Sequence, residues 1–106
     1  MPKYLLEVSY TLDGIRGLKS DGGSSRVAAA TALIEGLGGK VESFYFAFGG
    51  ADVYLIADMP DNESVAAAAL AVGAGGGATS RTVVLLTAAE VDSAVKKQTS
   101  YRPPGA

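Results

Sequence analysis

The amino-acid sequence predicts one α+β domain in which helices cover one face of a four-stranded antiparallel sheet. Three observations support this prediction. Strand-like and helix-like segments alternate in the order β-α-β-β-α-β, and only a short glycine-rich link separates the second strand from the third. Hydrophobic residues make up 48% of the 106 residues, enough for one core at this length. We expect a single domain over residues 1–97 and a C-terminal tail over 98–106.

The first strand is predicted over residues 3–10, where aliphatic and aromatic side chains precede a turn-forming segment at residues 11–14. Residues 13–23 contain four glycines, so we expect an exposed, mobile loop there. Apolar residues then recur at three- and four-residue steps after two serines, until a pair of glycines. This pattern predicts a helix over residues 25–37.

The second and third strands are predicted to form a hairpin. Residues 40–48 alternate in a way that places Phe44, Phe46 and Phe48 on one face of a strand. The next strand begins at Val53, after a link that contains two adjacent glycines. A link this short favours antiparallel pairing of the two strands.

The second half of the domain repeats the strand and helix signals. Residues 60–63 predict the start of a helix, and the alanine-rich run 65–72 has high helix propensity. The glycines of residues 73–77 run from a helix into a strand, which is the wrong order for a phosphate-binding loop. Residues 80–86 predict the fourth strand, and a capping box predicts a short helix over 87–97.

Composition excludes several classes of function. Nine basic against eleven acidic residues give a net charge of −2, which argues against a nucleic-acid partner. The chain has no cysteine and no histidine, so we expect no metal and no cofactor. Charged residues and glycines interrupt every apolar run, and the N-terminus lacks the pattern of a secretory signal. We therefore expect no membrane association and a cytoplasmic location.

The predicted order of elements is the ferredoxin-like split β-α-β sandwich, with both helices on one face of the sheet. The strands carry apolar side chains on both faces. The area of an uncovered apolar sheet face is larger than that of the apolar patches that soluble monomers usually expose. We therefore predict a homodimer or higher homo-oligomer that forms through the sheet face. Concave gaps between the two sheets are then available to a small hydrophobic ligand or a protein partner.

Several segments resemble the GYD-domain proteins over about residues 3–97: Lys3–Leu6, Tyr10–Gly14, Gly38–Tyr45, Pro60-Asp61 and Arg81-Thr82. The resemblance implies the dimeric α/β barrel fold, whose members include cofactor-free monooxygenases, isomerases, haem-active enzymes and non-enzymatic binding proteins. The Gly-Tyr-Asp stretch corresponds to Gly49-Gly50-Ala51-Asp52, so the aspartate is kept and Ala51 replaces the tyrosine.

Six residues are candidates for a ligand site: Asp52, Tyr4, Tyr10, Tyr45, Tyr54 and Arg81. Asp52 follows two glycines, where a carboxylate serves as a ligand anchor or general base, or more commonly as a turn cap. The tyrosines offer hydroxyl groups to a pocket, although packing is the more common role of aromatic residues in strands. An N-terminal Pro2 amine is a further candidate base, but only if Met1 is removed.

The sequence therefore favours a non-catalytic subunit that binds a small molecule or a protein. The alternative is a cofactor-free enzyme, similar to a monooxygenase, isomerase or tautomerase, that acts on a small hydrophobic substrate. The catalytic residues of such an enzyme are not apparent from the sequence.

Overall fold

A computed structural model describes residues 1–106. The strands are β1 (Lys3–Tyr10), β2 (Lys40–Phe46), β3 (Val53–Asp58) and β4 (Ala78–Leu85). The helices are α1 (Leu12–Asp21), α2 (Gly23–Gly36), α3 (Asn62–Ala74) and α4 (Ala88–Val95). All strands pair antiparallel in the order β2-β3-β1-β4, so the predicted ferredoxin-like α+β fold is confirmed.

The core lies between the sheet and the helices α2 and α3. Strand β1 sends Tyr4 and Leu6 to this side, because side chains in a strand point alternately to the two faces. Its partner β3 contributes Val53, Leu55 and Ala57. The remaining members of the buried cluster are Ile34 of α2, Met59, and Val65 and Ala68 of α3. Burial of this apolar surface is the main driving force for the fold.

The expected mobile loop at residues 13–23 is instead the helix α1, followed by the first residue of α2. The Thr11 hydroxyl caps α1 by accepting the N–H of Gly14 at 3.2 Å. The backbone N–H of Thr11 also donates to the carbonyl of Gly77 at 3.0 Å, and its hydroxyl donates to that of Gly76 at 2.9 Å. These contacts with a distant turn stabilise a helix whose glycines disfavour it locally.

Strand β2 does not follow the simple alternation that the sequence predicts. The pairing register shifts between Val41 and Ser43, so Val41 lies opposite Ala57 and Phe44 lies opposite Leu55. Val41 therefore joins Phe44 on the helix-covered face, because an extra residue in one strand reverses the alternation. The prediction for Phe48 is also wrong, since this residue lies beyond the strand and is fully exposed.

The sheet face away from the helices, here called the open face, is only partly apolar. Two neighbouring rows cross all four strands in the order β2, β3, β1, β4. One row is Ser43, Ile56, Leu5 and Val83, and the next is Tyr45, Tyr54, Glu7 and Arg81. The open face thus combines an apolar row with a row that carries an acid and a base.

The chain after the sheet forms an arm, residues 86–106, in which every residue is exposed. The molecule measures 56 × 33 × 22 Å along its principal axes. None of the helices combines the length and the hydropathy that crossing a membrane requires.

Candidate functional site

Two adjoining cavities lie between the sheet and the helices. The inner cavity, about 120 Å³, is lined by the core faces of the strands and by α2 and α3. Thirteen of its fifteen lining residues are hydrophobic, among them Val8, Phe44, Leu33 and Val72. This composition suits an apolar group rather than a polar one.

The outer cavity, about 360 Å³, lies between α1, α2 and the end of α3. Glycines of α1 and of the turn before β4 line it, including Gly14, Gly17 and Gly77. Because glycines have no side chains, these elements leave open space where they meet. Tyr10 and Arg26 line both cavities, which places them at the junction.

Arg26 is the single charged residue among those that line the inner cavity. It lies in the second turn of α2 on the same helix face as Ala30 and Leu33, since residues at steps of three and four share a face. Arg26 is half-buried, and the ion pairs of the chain, both made by Lys3, do not include it. Asp21 lines the outer cavity with Arg26 but is farther than 4 Å from its guanidinium group.

Asp52 connects the β2–β3 link to the end of β1. Its carboxylate Oδ2 accepts the backbone N–H of Tyr10 at 2.8 Å. Its own N–H donates to the carbonyl of Val8 at 2.8 Å, and its carbonyl accepts the N–H of Ala47 at 2.8 Å. Asp52 lines neither of the two cavities but borders a separate open hollow with Phe46 and Phe48. The geometry is that of a turn cap.

The other predicted site residues lie in different places. Tyr4 is 3% exposed, and its hydroxyl donates a hydrogen bond to Oδ1 of Asn62, the first residue of α3. Tyr45, Tyr54 and Arg81 lie on the open face. One chain therefore does not bring the tyrosines, Asp52 and Arg81 into a single pocket. The alternation of side chains along each strand separates them.

The family model of the GYD domain matches residues 4–95. The chain belongs to the GYD domain family. The match includes all four strands and all four helices, except for the first residue of β1. No curated protein and no solved structure matches the chain.

In this GYD domain, the stretch Gly49-Gly50-Ala51-Asp52 forms the link between β2 and β3. Ala51 is only 6% exposed and lies at the edge of the core. Asp52 next to it makes the three hydrogen bonds described above. The motif thus supports the sheet at a turn.

Sequence reasoning missed Arg26, which the GYD fold places at the junction of the two cavities. The spacing was visible in the sequence, because position 26 precedes Ala30 and Leu33 by four and seven residues, which places all three on one face of a helix. Gly14 and Gly17, which line the outer cavity, lie in the segment that was predicted to be a mobile loop.

A charged cluster joins three strands at one edge of the open face. Lys3 donates to Glu42 at 2.6 Å and to Asp58 at 2.9 Å. The hydrogen bond from Lys3 lowers the pKa of Asp58 below its ordinary value, and Asp58 and then Glu42 raise the pKa of Lys3. The chain has no cluster of three or more acidic residues arranged to hold a metal ion.

Proposed function

We propose that this GYD domain is a non-catalytic subunit that binds a small apolar molecule carrying one anionic group. The proposal depends mainly on one observation, the position of Arg26 between an apolar inner cavity and a larger outer one. The apolar part of the ligand fills the space between the sheet and the helices. Its anionic group contacts the guanidinium group of Arg26.

The size of the site supports a small ligand. Typical ligand pockets have volumes of about 300–1,000 Å³. The outer cavity, at about 360 Å³, reaches this range, whereas the inner one, at about 120 Å³, holds only a tail or a small ring. A compact molecule with an apolar end fits both spaces together.

Electrostatics supports an anionic group. Removing a guanidinium group from water without a partner costs free energy, and a carboxylate restores two hydrogen bonds through the planar fork of arginine. Arg26 is half-buried and makes no ion pair in the chain. Asp21 on the same rim repels multiply charged anions, so a monoanion fits better than a phosphate.

The position of Asp52 supports binding over catalysis. A general base must lie within hydrogen-bond reach of the proton that it removes. Asp52 borders neither cavity, and its Oδ2 holds the N–H of Tyr10. Tyr4, another candidate on the core side of the sheet, donates its hydroxyl to Asn62 and lines neither cavity. Tyr10 is the one predicted tyrosine that lines the cavities.

The assembly that we propose is a homodimer formed through the open face. Glu7 of β1 and Arg81 of β4 lie opposite each other in one row, next to the row of Ile56, Leu5 and Val83. A two-fold axis that lies in the plane between the two open faces places Glu7 of each copy opposite Arg81 of the other, because an isologous interface uses the same patch twice. The apolar row then lies inside the contact.

The ligand site is tested with phenylacetate and its neutral analogue phenylacetamide, followed by the amide NMR signals of the cavity-lining residues. We expect phenylacetate to shift the signals of Tyr10 and Leu33. Replacing Arg26 by glutamine should weaken its binding about 10-fold or more, the equivalent of a hydrogen bond to a charged group. Binding of phenylacetamide should change little.

Arg16→Gln is the matched control, because Arg16 is exposed on α1 and lines neither cavity. It should bind both probes like the unmodified chain, and both variants should melt at similar temperatures. Equal binding of phenylacetate by Arg26→Gln and Arg16→Gln would contradict the proposal. So would an absence of shifts at the cavity with either probe.

A further inference from the structure

We propose that the ligand of the two cavities is an apolar α-amino acid, whose carboxylate binds Arg26 and whose ammonium group binds Asp21. This inference rests on the proposed function, because it keeps the apolar inner cavity and the anionic group at Arg26. It adds a cationic group to the ligand and thereby names its chemical class. The observation behind it is that a base and an acid line the outer cavity together without pairing with each other.

Arg26 and Asp21 reach the outer cavity from two different helices. Asp21 is the last residue of α1, and Arg26 is the fourth residue of α2. Gly22 between the helices has a φ of 85°, a left-handed conformation that glycine adopts without strain. Because the first helix ends at this glycine and the second begins directly after it, the end of α1 and the start of α2 border the same cavity.

Neither charged side chain has an ionic partner in the chain. Both ion pairs of the molecule are made by Lys3. The carboxylate of Asp21 and the guanidinium group of Arg26 are farther than 4 Å apart, although both residues line one cavity. An acid and a base that face one space without touching attract a molecule that carries both opposite charges.

The ends of the two helices have partial charges of the same sign as these side chains. The C-terminus of α1 is partially negative, and its last carbonyl groups lack partners within the helix. A carboxylate at this end destabilises the helix, and a bound cation offsets that effect. The N-terminus of α2 is partially positive, and no side chain caps its first amide groups. The cavity is therefore bordered by a negative and a positive end.

An α-amino acid matches these two ends, because its ammonium and carboxylate groups are attached to the same carbon. The ammonium group donates hydrogen bonds to Asp21, and the carboxylate accepts two from the planar fork of Arg26. The ligand has no net charge, like the pair of side chains that binds it. A simple carboxylate would instead bring its negative charge near Asp21 without a cation between them.

The side chain of the amino acid occupies the inner cavity. Arg26 lines both cavities, so an amino acid bound to it has its α carbon near their junction. The inner cavity has a volume of about 120 Å³ and is lined mainly by hydrophobic residues. An apolar cavity of about 150 Å³ holds a benzene ring, so this one suits a branched aliphatic or phenyl side chain. A polar side chain would lose its hydrogen bonds with water there.

The test compares L-phenylalanine with two analogues that each lack one charge, followed by the amide NMR signals of Tyr10 and Leu33. The analogue 3-phenylpropionate lacks the ammonium group, and 2-phenylethylamine lacks the carboxylate. Asp21→Asn should weaken the binding of L-phenylalanine and of 2-phenylethylamine about 5-fold, the equivalent of one exposed ion pair. It should not weaken the binding of 3-phenylpropionate, because a repulsion is removed.

Arg26→Gln should show the complementary pattern. Its binding of L-phenylalanine and of 3-phenylpropionate should be weaker than that of the unmodified chain, because both compounds carry the carboxylate. Its binding of 2-phenylethylamine should not be weaker, because this compound has no group for the guanidinium group to bind. L-phenylalanine is thus the one probe that depends on both residues.

Asp13→Asn is the matched control, because Asp13 is an exposed acid on the same helix and lines neither cavity. It removes the same charge from the chain, so a general effect of net charge is equal in the two variants. The control should bind L-phenylalanine like the unmodified chain. Melting temperatures verify that each variant is folded.

Equal binding of L-phenylalanine by Asp21→Asn and Asp13→Asn would overturn the inference. An equal loss of L-phenylalanine and 3-phenylpropionate binding in Asp21→Asn would also overturn it, because Asp21 would then act on the shape of the cavity and not on the ammonium group. In both cases, binding of 3-phenylpropionate that depends on Arg26 leaves the proposed function intact. If none of the three compounds shifts the cavity signals, the proposed function is wrong as well.

Discussion

Replacing Gly14 by alanine tests the contact that holds α1 against the turn before β4. A Cβ atom at Gly14 would lie 1.8 Å from the carbonyl oxygen of Gly77, whereas ordinary contact begins near 3.4 Å. The turn must therefore retreat, and this breaks the bonds from Thr11 to the carbonyls of Gly77 and Gly76. The loss of two hydrogen bonds lowers the free energy of unfolding by about 1–3 kcal/mol, and the higher helix propensity of alanine raises it by about 1 kcal/mol.

The matched control is Gly17→Ala, on the same helix and lining the same cavity. A Cβ atom there meets nothing within 4 Å, so the variant keeps the gain of about 1 kcal/mol without a clash. Urea denaturation should show Gly14→Ala to be less stable than Gly17→Ala by about 1–3 kcal/mol, or about 5–20 °C in melting temperature. Equal stability of the two variants would refute the close packing of α1 on this turn.

Two further predictions concern the polar groups of the sheet. Asp52→Asn should lower the free energy of unfolding by at most about 1 kcal/mol, because an amide oxygen still accepts the N–H of Tyr10, and it should leave phenylacetate binding unchanged. Lost binding at an unchanged melting temperature would place Asp52 in the ligand site. The lowered pKa of Asp58 stabilises the fold above the ordinary carboxyl value of 3.8, and this stabilisation is lost as the pH falls through the lowered, folded value. Lys3→Met should therefore show a smaller drop in urea midpoint between pH 7 and pH 2 than the unmodified chain, and equal drops would argue against the ion pair.

The strands show how much of the sheet the hydrophobic periodicity of the sequence predicts. The first strand was predicted over the residues that β1 occupies, because an unbroken apolar pattern ends at a clear turn. The alternation over β2 was misleading, because the bulge between Val41 and Ser43 depends on pairing with β3. The sequence pattern of one strand does not specify the register in which that strand pairs with its neighbour.

The candidate site was less predictable than the fold. The tyrosines and Asp52 were selected by residue type, yet their positions along the strands assign Tyr4 and Tyr54 to opposite faces. Arg26 and the glycines of α1 meet only when α1 and α2 pack together over the sheet. Several helices and strands together form a cavity, so the sequence pattern of any one segment does not predict it.

The sequence by itself determined the fold class, the family and most of the elements, because hydrophobic periodicity, caps and glycine breaks act over a few neighbouring residues. The tertiary structure alone decided that residues 12–21 are helical, since the bonds of Thr11 to Gly76 and Gly77 join positions 65 and 66 residues apart along the chain. It also decided which apolar surfaces stay open, the sheet face and the α4 arm. Long-range packing sets both outcomes, because a segment with weak local propensity adopts the structure that its distant neighbours stabilise.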